Sequence, residues 1–404
     1  MWHLRGAVQA YGWGSSRTIP EFLGIEPDGS PCAEVWFGGH PGAPSTLLPV
    51  SPGPAGGDTG PGRLDELVAD GAVLGDRVRE TFGERLPFLV KLLAADRPLS
   101  LQVHPDARRA RDGYAREQAA QVPVGLRSYV DDQHKPETLV ALTGMRALAG
   151  FREPAAVAAD LVRSATAPLL TAAAVLDRPG TPSARVAAAF EHVLRLPAAE
   201  RRRALDALAE RPVGDRPWGA DPLETARALA VAHPDDAGAL ASVLLNPVDL
   251  PAGHALSVGA GVVHCYVGGF GLEIMASSDN VLRAGLTTKR VDLPELLAAV
   301  DFTPHAADVR APSVTWPVPG VGVQRYDLPF AEFGLRVVDL VDPRARYLPG
   351  DPTGPRVVLG LAGTVVVSAP TGRCAVAPGE AVLVGDGEEI ALDGSGRVAL
   401  VAVP

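Results

Sequence analysis

Apolar and polar positions follow different rhythms along the chain and divide it into three stretches. From Met1 to about residue 145, short apolar runs alternate with Gly/Pro turns. Within that stretch residues 49–62 read as a loop. Residues 63–84 carry helical spacing at Leu64, Leu67, Val73 and Val78. Residues 86–93 read as a buried strand and residues 99–104 as another. Over 153–245 alanine dominates and strand signals vanish, which predicts an all-helical insert. Asp221-Pro222-Leu223-Glu224 marks a helix start there, with Asp as N-cap, Pro in the first turn and Glu three residues on. Leu205 and Leu208 followed by Pro212 and Gly214 read as a short helix with a stop. After Asn246 Gly-bounded β runs return at 255–258, 262–267, 357–361, 365–367 and 381–384. Short strands at turn-punctuated spacing predict antiparallel sandwiches or barrels.

A nine-residue echo refines this picture. Residues 253–261 (GHALSVGAG) and 379–387 (GEAVLVGDG) share the pattern G-x-A-φ-x-V-G-x-G, where φ is apolar. The repeat predicts two related β-barrels. Three residues beyond the first copy stands His264; beyond the second stands Ile390. Chemistry that depends on the histidine belongs to the first barrel.

Composition narrows the function classes. The 404 residues are 47% hydrophobic and 21% charged, enough for a large core and for two or three domains. The net charge of −10 argues against nucleic acid or an anionic membrane as partner, while leaving room for a locally basic pocket. No apolar run reaches the roughly 18–20 residues of a membrane span, and the first residues lack a signal-peptide pattern. Three cysteines make neither a disulfide framework nor a Cys-rich zinc site, so a reducing, cytoplasmic setting is expected. The sequence sets no oligomeric state and is compatible with a monomer. Of 37 basic residues only Lys91, Lys135 and Lys289 are lysine, which singles them out for positions needing a compact ammonium.

Candidate chemistry concentrates around these lysines. Strand alternation puts Ser100, Gln102 and His104 on one face and Leu101 and Val103 on the other. Glu137 interrupts an apolar strand and needs a cation, either Lys135 on the same face or a metal. His264 and Tyr266 share a face from which Cys265 points away, and Glu273 interrupts another apolar run. Gln102, His104, Glu137 and His264 together offer two imidazole nitrogens and two oxygens. Zn²⁺ with open positions suits that set; Mn²⁺, Co²⁺ or Fe²⁺ would also accept it. Residues 277–290 form a polar stretch with Arg283, Lys289 and Arg290, an anion site by charge.

The chain resembles type I mannose-6-phosphate isomerases (phosphomannose isomerases), a zinc-dependent cupin family. The resemblance rests on residues 11–15 (YGWGS), 33–41 (AEVWFGGHP), 86–91 (LPFLVK), 98–106 (PLSLQVHPD), 134–137 (HKPE) and 269–289. Two turns depart from the family's pattern: Val258-Gly259-Ala260-Gly261 and Leu286-Thr287-Thr288-Lys289 each lack its proline. The fold implied is mainly β with an α-helical insert: two cupin-like jelly-roll β-barrels plus a helical domain. The catalytic barrel would comprise 1–150 and 246–310, the insert 151–245, and a C-terminal cupin-like domain without metal site 311–404. The metal ligands implied are Gln102, His104, Glu137 and His264. Arg283, Glu273, Lys135 and Lys289 would be catalytic; Ser100, Lys91, Tyr266, Trp13 and His40 would contact substrate. The activity implied is reversible isomerisation of mannose 6-phosphate and fructose 6-phosphate through an enediolate, feeding mannose and GDP-mannose metabolism. The alternatives are a metal-dependent cupin oxygenase and a non-catalytic sugar-phosphate-binding cupin. The insert carries no readable chemistry and is expected to wall or lid the pocket.

Overall fold

The computed structural model describes residues 1–48, 62–71, 73–211, 221–350 and 353–404. The loop expected at 49–62 lies outside the described residues except for Gly62, as does the break at Pro212 and Gly214. The fold is mainly β with a block of helices, and its strands form two large antiparallel sheets.

The first sheet is organised by one long strand, His264–Ala276, which joins the expected strand at 262–267 to the run around Glu273. Its second half pairs with Phe88–Ala95 on one side and Glu137–Ala141 on the other. Its first half pairs with Leu101–Val103 and Met145–Phe151. The register slips between Tyr266 and Gly268, and Gly269 has φ +120° with Met145 and the Gly144 carbonyl packed where a Cβ would stand. This bulge changes the alternation. His264 and Tyr266 before it and Glu273 after it are nine or fewer residues apart yet share one side, while Cys265, Leu272 and Ile274 enter apolar cores.

The helical stretch forms as the sequence predicts, with helices Pro154–Ser164, Ala167–Leu176, Pro182–Leu194, Ala198–Ala209 and Pro222–Ala232. Asp221 caps the last of these through the Leu223 amide. Strands Met145–Phe151 and Leu245–Leu250 pair with each other at its base, so the insert enters and leaves at one point. Its core, with Phe190 and Leu161 fully buried, continues into Leu101, Val103, Cys265, Val267, Leu282 and Ala284. The insert thus packs on the apolar outer face of the strands whose polar face carries Gln102, His264 and Arg283. It backs the site; burying each large apolar side chain there stabilises by ~1.5–3 kcal/mol.

The second sheet runs through 313–402, but two of its strands come from the N-terminal region. Trp2–Arg5 pairs with Ala381–Val384 and with Thr46–Leu48. These two strands were expected in the first barrel and belong to the second sheet, where Leu4 packs in one apolar cluster with Leu383 and Val357. Residues 63–84 also differ from the expected single helical pattern. They form two short helices, Leu64–Ala69 and Asp76–Phe82, separated by Gly71 and Gly75 at φ +74°. A left-handed backbone conformation there ends the first helix and begins the second. The stretch at 277–290, expected as a loop, contains strand Leu282–Gly285, paired to Leu101–Val103.

Candidate metal centre and active site

His104, Glu137 and His264 are fully buried, and each offers one ligand atom within 4.8 Å of the others. Three separate strands or strand ends bring them together. His104 follows Leu101–Val103, Glu137 opens Glu137–Ala141, and His264 opens the long bent strand. His264 stands opposite Gln102 in the register.

Both imidazoles are oriented from behind. His104 Nδ1 donates to the Asn280 carbonyl at 2.8 Å, and His264 Nδ1 donates to the Val262 carbonyl at 2.9 Å. That fixes the tautomer with both Nε2 atoms bare and facing inward, the arrangement a metal ligand needs. Glu137 Oε2 lies 3.1 Å from His104 Nε2, and Oε1 lies 3.0 Å from His264 Nε2. The Gln102 amide reaches to 3.2 Å of His264 Nε2. Half a turn of that amide presents its oxygen instead. Ser100 Oγ lies 3.5 Å from the Gln102 Oε1. Cys265 points away and donates to the Leu99 carbonyl.

The electrostatics fit a cation. Burial, then the Lys135 ammonium, push His104 down to about 4, so its imidazole stays neutral. Burial opposes charge on Glu137, but the Lys135 ammonium beside it holds its carboxyl well below the usual range. Lys135 Nζ sits 2.8 Å from Glu137 Oε2, the pairing the alternation suggests. Tyr266 donates to Glu137 Oε1 at 3.0 Å, and burial followed by the neighbouring Glu137 keeps the phenol protonated.

Behind this group lies a second buried one. Lys91 Nζ is 3.0 Å from Glu273 and 3.9 Å from Glu34, and 4.8 Å from the centre of the Trp36 ring. Burial alone would lower Lys91, but Glu273 and Glu34 carry it above the ordinary lysine value. Burial raises Glu273 despite Lys91. Three buried carboxylates, Glu34, Glu137 and Glu273, thus face two buried ammonium groups, Lys91 and Lys135. A neutral His/His/Gln donor set with a surplus carboxylate matches Zn²⁺ held by nitrogen and oxygen ligands.

The cations at the rim are different. Arg283 stands opposite Gln102 and is half-buried, and its guanidinium makes no hydrogen bond or ion pair among the described residues. Burial lowers its pKa. Lys289 is lowered by burial and then by Arg283, with Asp279 acting the other way. Neither side chain forms an ion pair among the described residues, which leaves both available to an anion. Arg290, grouped with them in the sequence, is instead paired with Asp292. His40 lies 3.3 Å from Asp279 and edge-on to Trp36, and Trp13 stacks on Tyr11. Those two residues stand outside the ligand cluster.

Sequence reasoning missed the residues that aim the ligands. Asn280 gives its carbonyl to His104 while its side chain bridges Asp131 and Gln133. Glu34, bonded to the Trp36 indole at 2.5 Å, interrupts an apolar strand as Glu137 and Glu273 do. The same signal could have found it.

The family model for the phosphomannose isomerase type I catalytic domain matches residues 1–154. The chain is 36% identical over 409 residues to mannose-6-phosphate isomerase of Salmonella typhimurium, covering 99% of both chains. It belongs to the mannose-6-phosphate isomerase family. The Escherichia coli isomerase is 34% identical over 99% of both chains. A crystal structure of a phosphomannose isomerase variant from Salmonella typhimurium matches with TM-score 0.87 and 34% identity over 100% of this chain and 99% of that one. A mannose 6-phosphate isomerase structure bound with zinc and yttrium matches with TM-score 0.85 and 33% identity over the same shares. Among the described residues no helix is long and apolar enough to cross a membrane.

Proposed function

We propose that this chain is a zinc-dependent isomerase that interconverts mannose 6-phosphate and fructose 6-phosphate. The observation that carries the reading is the convergence of Gln102, His104, Glu137 and His264 beside the unpartnered Arg283 and Lys289. The first set would hold one Zn²⁺, with Mn²⁺, Co²⁺ or Fe²⁺ as substitutes, and the second would take the anionic parts of a sugar phosphate. When bound, the ion supplies Lewis-acid polarisation of the sugar oxygens without redox change.

The reaction moves a proton between C1 and C2 of the open-chain sugar through an enediolate, which carries developing negative charge on oxygen. The Arg283 guanidinium stabilises that charge. Lys289 and Ser100 bind the phosphate. Glu273 and Lys135, both members of the buried charged network, relay the proton. Lys91 holds Glu273 at 3.0 Å, and Tyr266 links Glu137 to the same network. Trp13 and His40 line the approach. The metal-bearing region comprises the strands within 1–150 and 246–310, less the two N-terminal strands that join the C-terminal sheet. The insert 151–245 and the β region 311–404 complete the chain. The free, buried Cys32, Cys265 and Cys374 fit a reducing, cytoplasmic compartment. The product feeds mannose and GDP-mannose metabolism.

A coupled assay with each hexose phosphate under anaerobic conditions tests this. Interconversion without oxygen is expected. Turnover that appears only when oxygen is admitted, or sugar-phosphate binding without turnover, refutes it.

A further inference from the structure

The turn that follows Arg283 is held in place by the helical insert, and one carboxylate does much of the holding. Gly285 has φ +151°, and Leu286 after it has φ +55°. A leucine adopts that left-handed conformation only where its surroundings keep it there. Leu286 is buried in the insert's apolar core with Ala239, Leu240 and Ala241 of the short helix Ala237–Ala241.

Asp236 stands at the N-cap of that helix and divides its two oxygens between helix and turn. Oδ1 accepts the Gly238 amide at 2.7 Å and caps the helix. Oδ2 accepts the Thr287 amide at 3.1 Å. The Thr287 hydroxyl in turn accepts the Lys289 amide at 3.1 Å. Two bonds in series thus run from the insert to the backbone of Lys289. The two main chains approach without side chains between them. A Cβ on Gly285 would stand 2.4 Å from Asp236 Oδ1, and one on Gly238 would stand 3.0 Å from the Gly285 Cα and the Leu286 nitrogen. Beyond Lys289 the chain is tied again: Asp292 accepts from Ser128 Oγ at 2.9 Å and caps helix Leu293–Ala299. Lys289 therefore sits on a segment anchored at both ends.

We propose that Asp236 is a positioning residue for the isomerisation: through Thr287 it fixes the backbone from which Lys289 reaches the substrate phosphate. The inference rests on the assignment of Lys289 to that phosphate, and it gives the helical insert a part in substrate binding besides backing the site. A lysine side chain is a point charge on a flexible stem, so its precision has to come from the backbone that carries it. A loose turn would have to be ordered on binding, and that cost is subtracted from affinity.

Steady-state kinetics and thermal melting of the zinc-loaded protein test the proposal, with Asp236→Asn as the main variant. Asparagine caps a helix as well as aspartate does. It has a single carbonyl oxygen, however, where two amides need acceptors. The shorter bond to Gly238 stays and the bond to Thr287 goes. KM for mannose 6-phosphate should rise roughly three- to tenfold, the worth of one net hydrogen bond. The phosphate is held alike in ground and transition states, so kcat should stay within about twofold. The Tm should match that of the natural protein. Asp236→Ala loses the cap as well, so it should melt lower and raise KM at least as much. In a Lys289→Ala background the effect of Asp236→Asn on KM should vanish, because the two residues act as one unit. The inference and the assignment beneath it fail differently. An unchanged KM in Lys289→Ala refutes the phosphate assignment and removes the inference with it. A raised KM in Lys289→Ala beside an unchanged KM in Asp236→Asn overturns the inference alone, as do independent effects that multiply in the double variant. A fall in Tm as large in Asp236→Asn as in Asp236→Ala overturns it too, by making the residue a helix cap only.

Discussion

Arg283 offers the sharpest separation of chemistry from structure. Its guanidinium stands opposite Gln102, whose amide is 3.2 Å from His264 Nε2, so it borders the ligand cluster without belonging to it. It has no ion-pair or hydrogen-bond partner to lose among the described residues, and burial already disfavours its charge. Arg283→Ala therefore removes no structural contact of that kind. What it removes is a preorganised donor for charge that develops on substrate oxygen in the transition state. Removing one such donor costs ~2.7–4 kcal/mol, or roughly 10²–10³ in kcat. A coupled isomerase assay, elemental analysis and a thermal melt on one preparation check the three consequences. The expected outcome is a kcat two to three orders of magnitude lower, unchanged zinc content and a Tm at or slightly above the natural value. Loss of zinc or of the fold along with activity would refute the reasoning, as would an unchanged kcat.

Two further outcomes follow from the buried charges. Lys91→Met leaves Glu273 and Glu34 buried without their counter-ion and should destabilise by ~3–5 kcal/mol, read by denaturant unfolding; adding Glu273→Gln should recover part of that loss, and strictly additive losses would contradict the pairing. In chelator-treated protein, His104 falls from its ordinary 6.5 to about 4 on folding. Below pH 6.5 the unfolded chain takes up a proton that the fold refuses, so stability should fall by about 3 kcal/mol as pH drops to 4. Glu137, held low in the fold, acts in the same direction at the acid end. Chelated protein whose stability is flat over that window would contradict the burial argument.

How much of this was legible in the sequence follows from the range of each signal. Alternation is local, so the shared face of Gln102 and His104, the outward Cys265 and the Lys135–Glu137 pair were all readable from a few residues. The Asp221 cap was readable for the same reason. The bulge at Gly268–Gly269 was not, because its cause is Met145 and Gly144 on another strand. Only that bulge puts Glu273 on the side of His264. Likewise Trp2–Arg5 looks like any short β run, and its place in the C-terminal sheet depends on Ala381–Val384, far along the chain. The Lys91–Glu273 pair is a register fact between distant strands. The nine-residue echo was readable, but that its first copy sets Val258 opposite Glu137 and its second sets Val384 opposite Arg356 is a register fact between distant strands.

The central claim is that four side chains from scattered strands hold one divalent cation. Zinc stoichiometry and X-ray absorption of the purified protein, natural and His264→Ala, test it directly. The account predicts one zinc per chain with nitrogen and oxygen ligands at about 2.0–2.2 Å, no sulfur near 2.3 Å, and loss of most of the metal in the variant. A fully active metal-free protein, or a zinc site unchanged by His264→Ala, would contradict it.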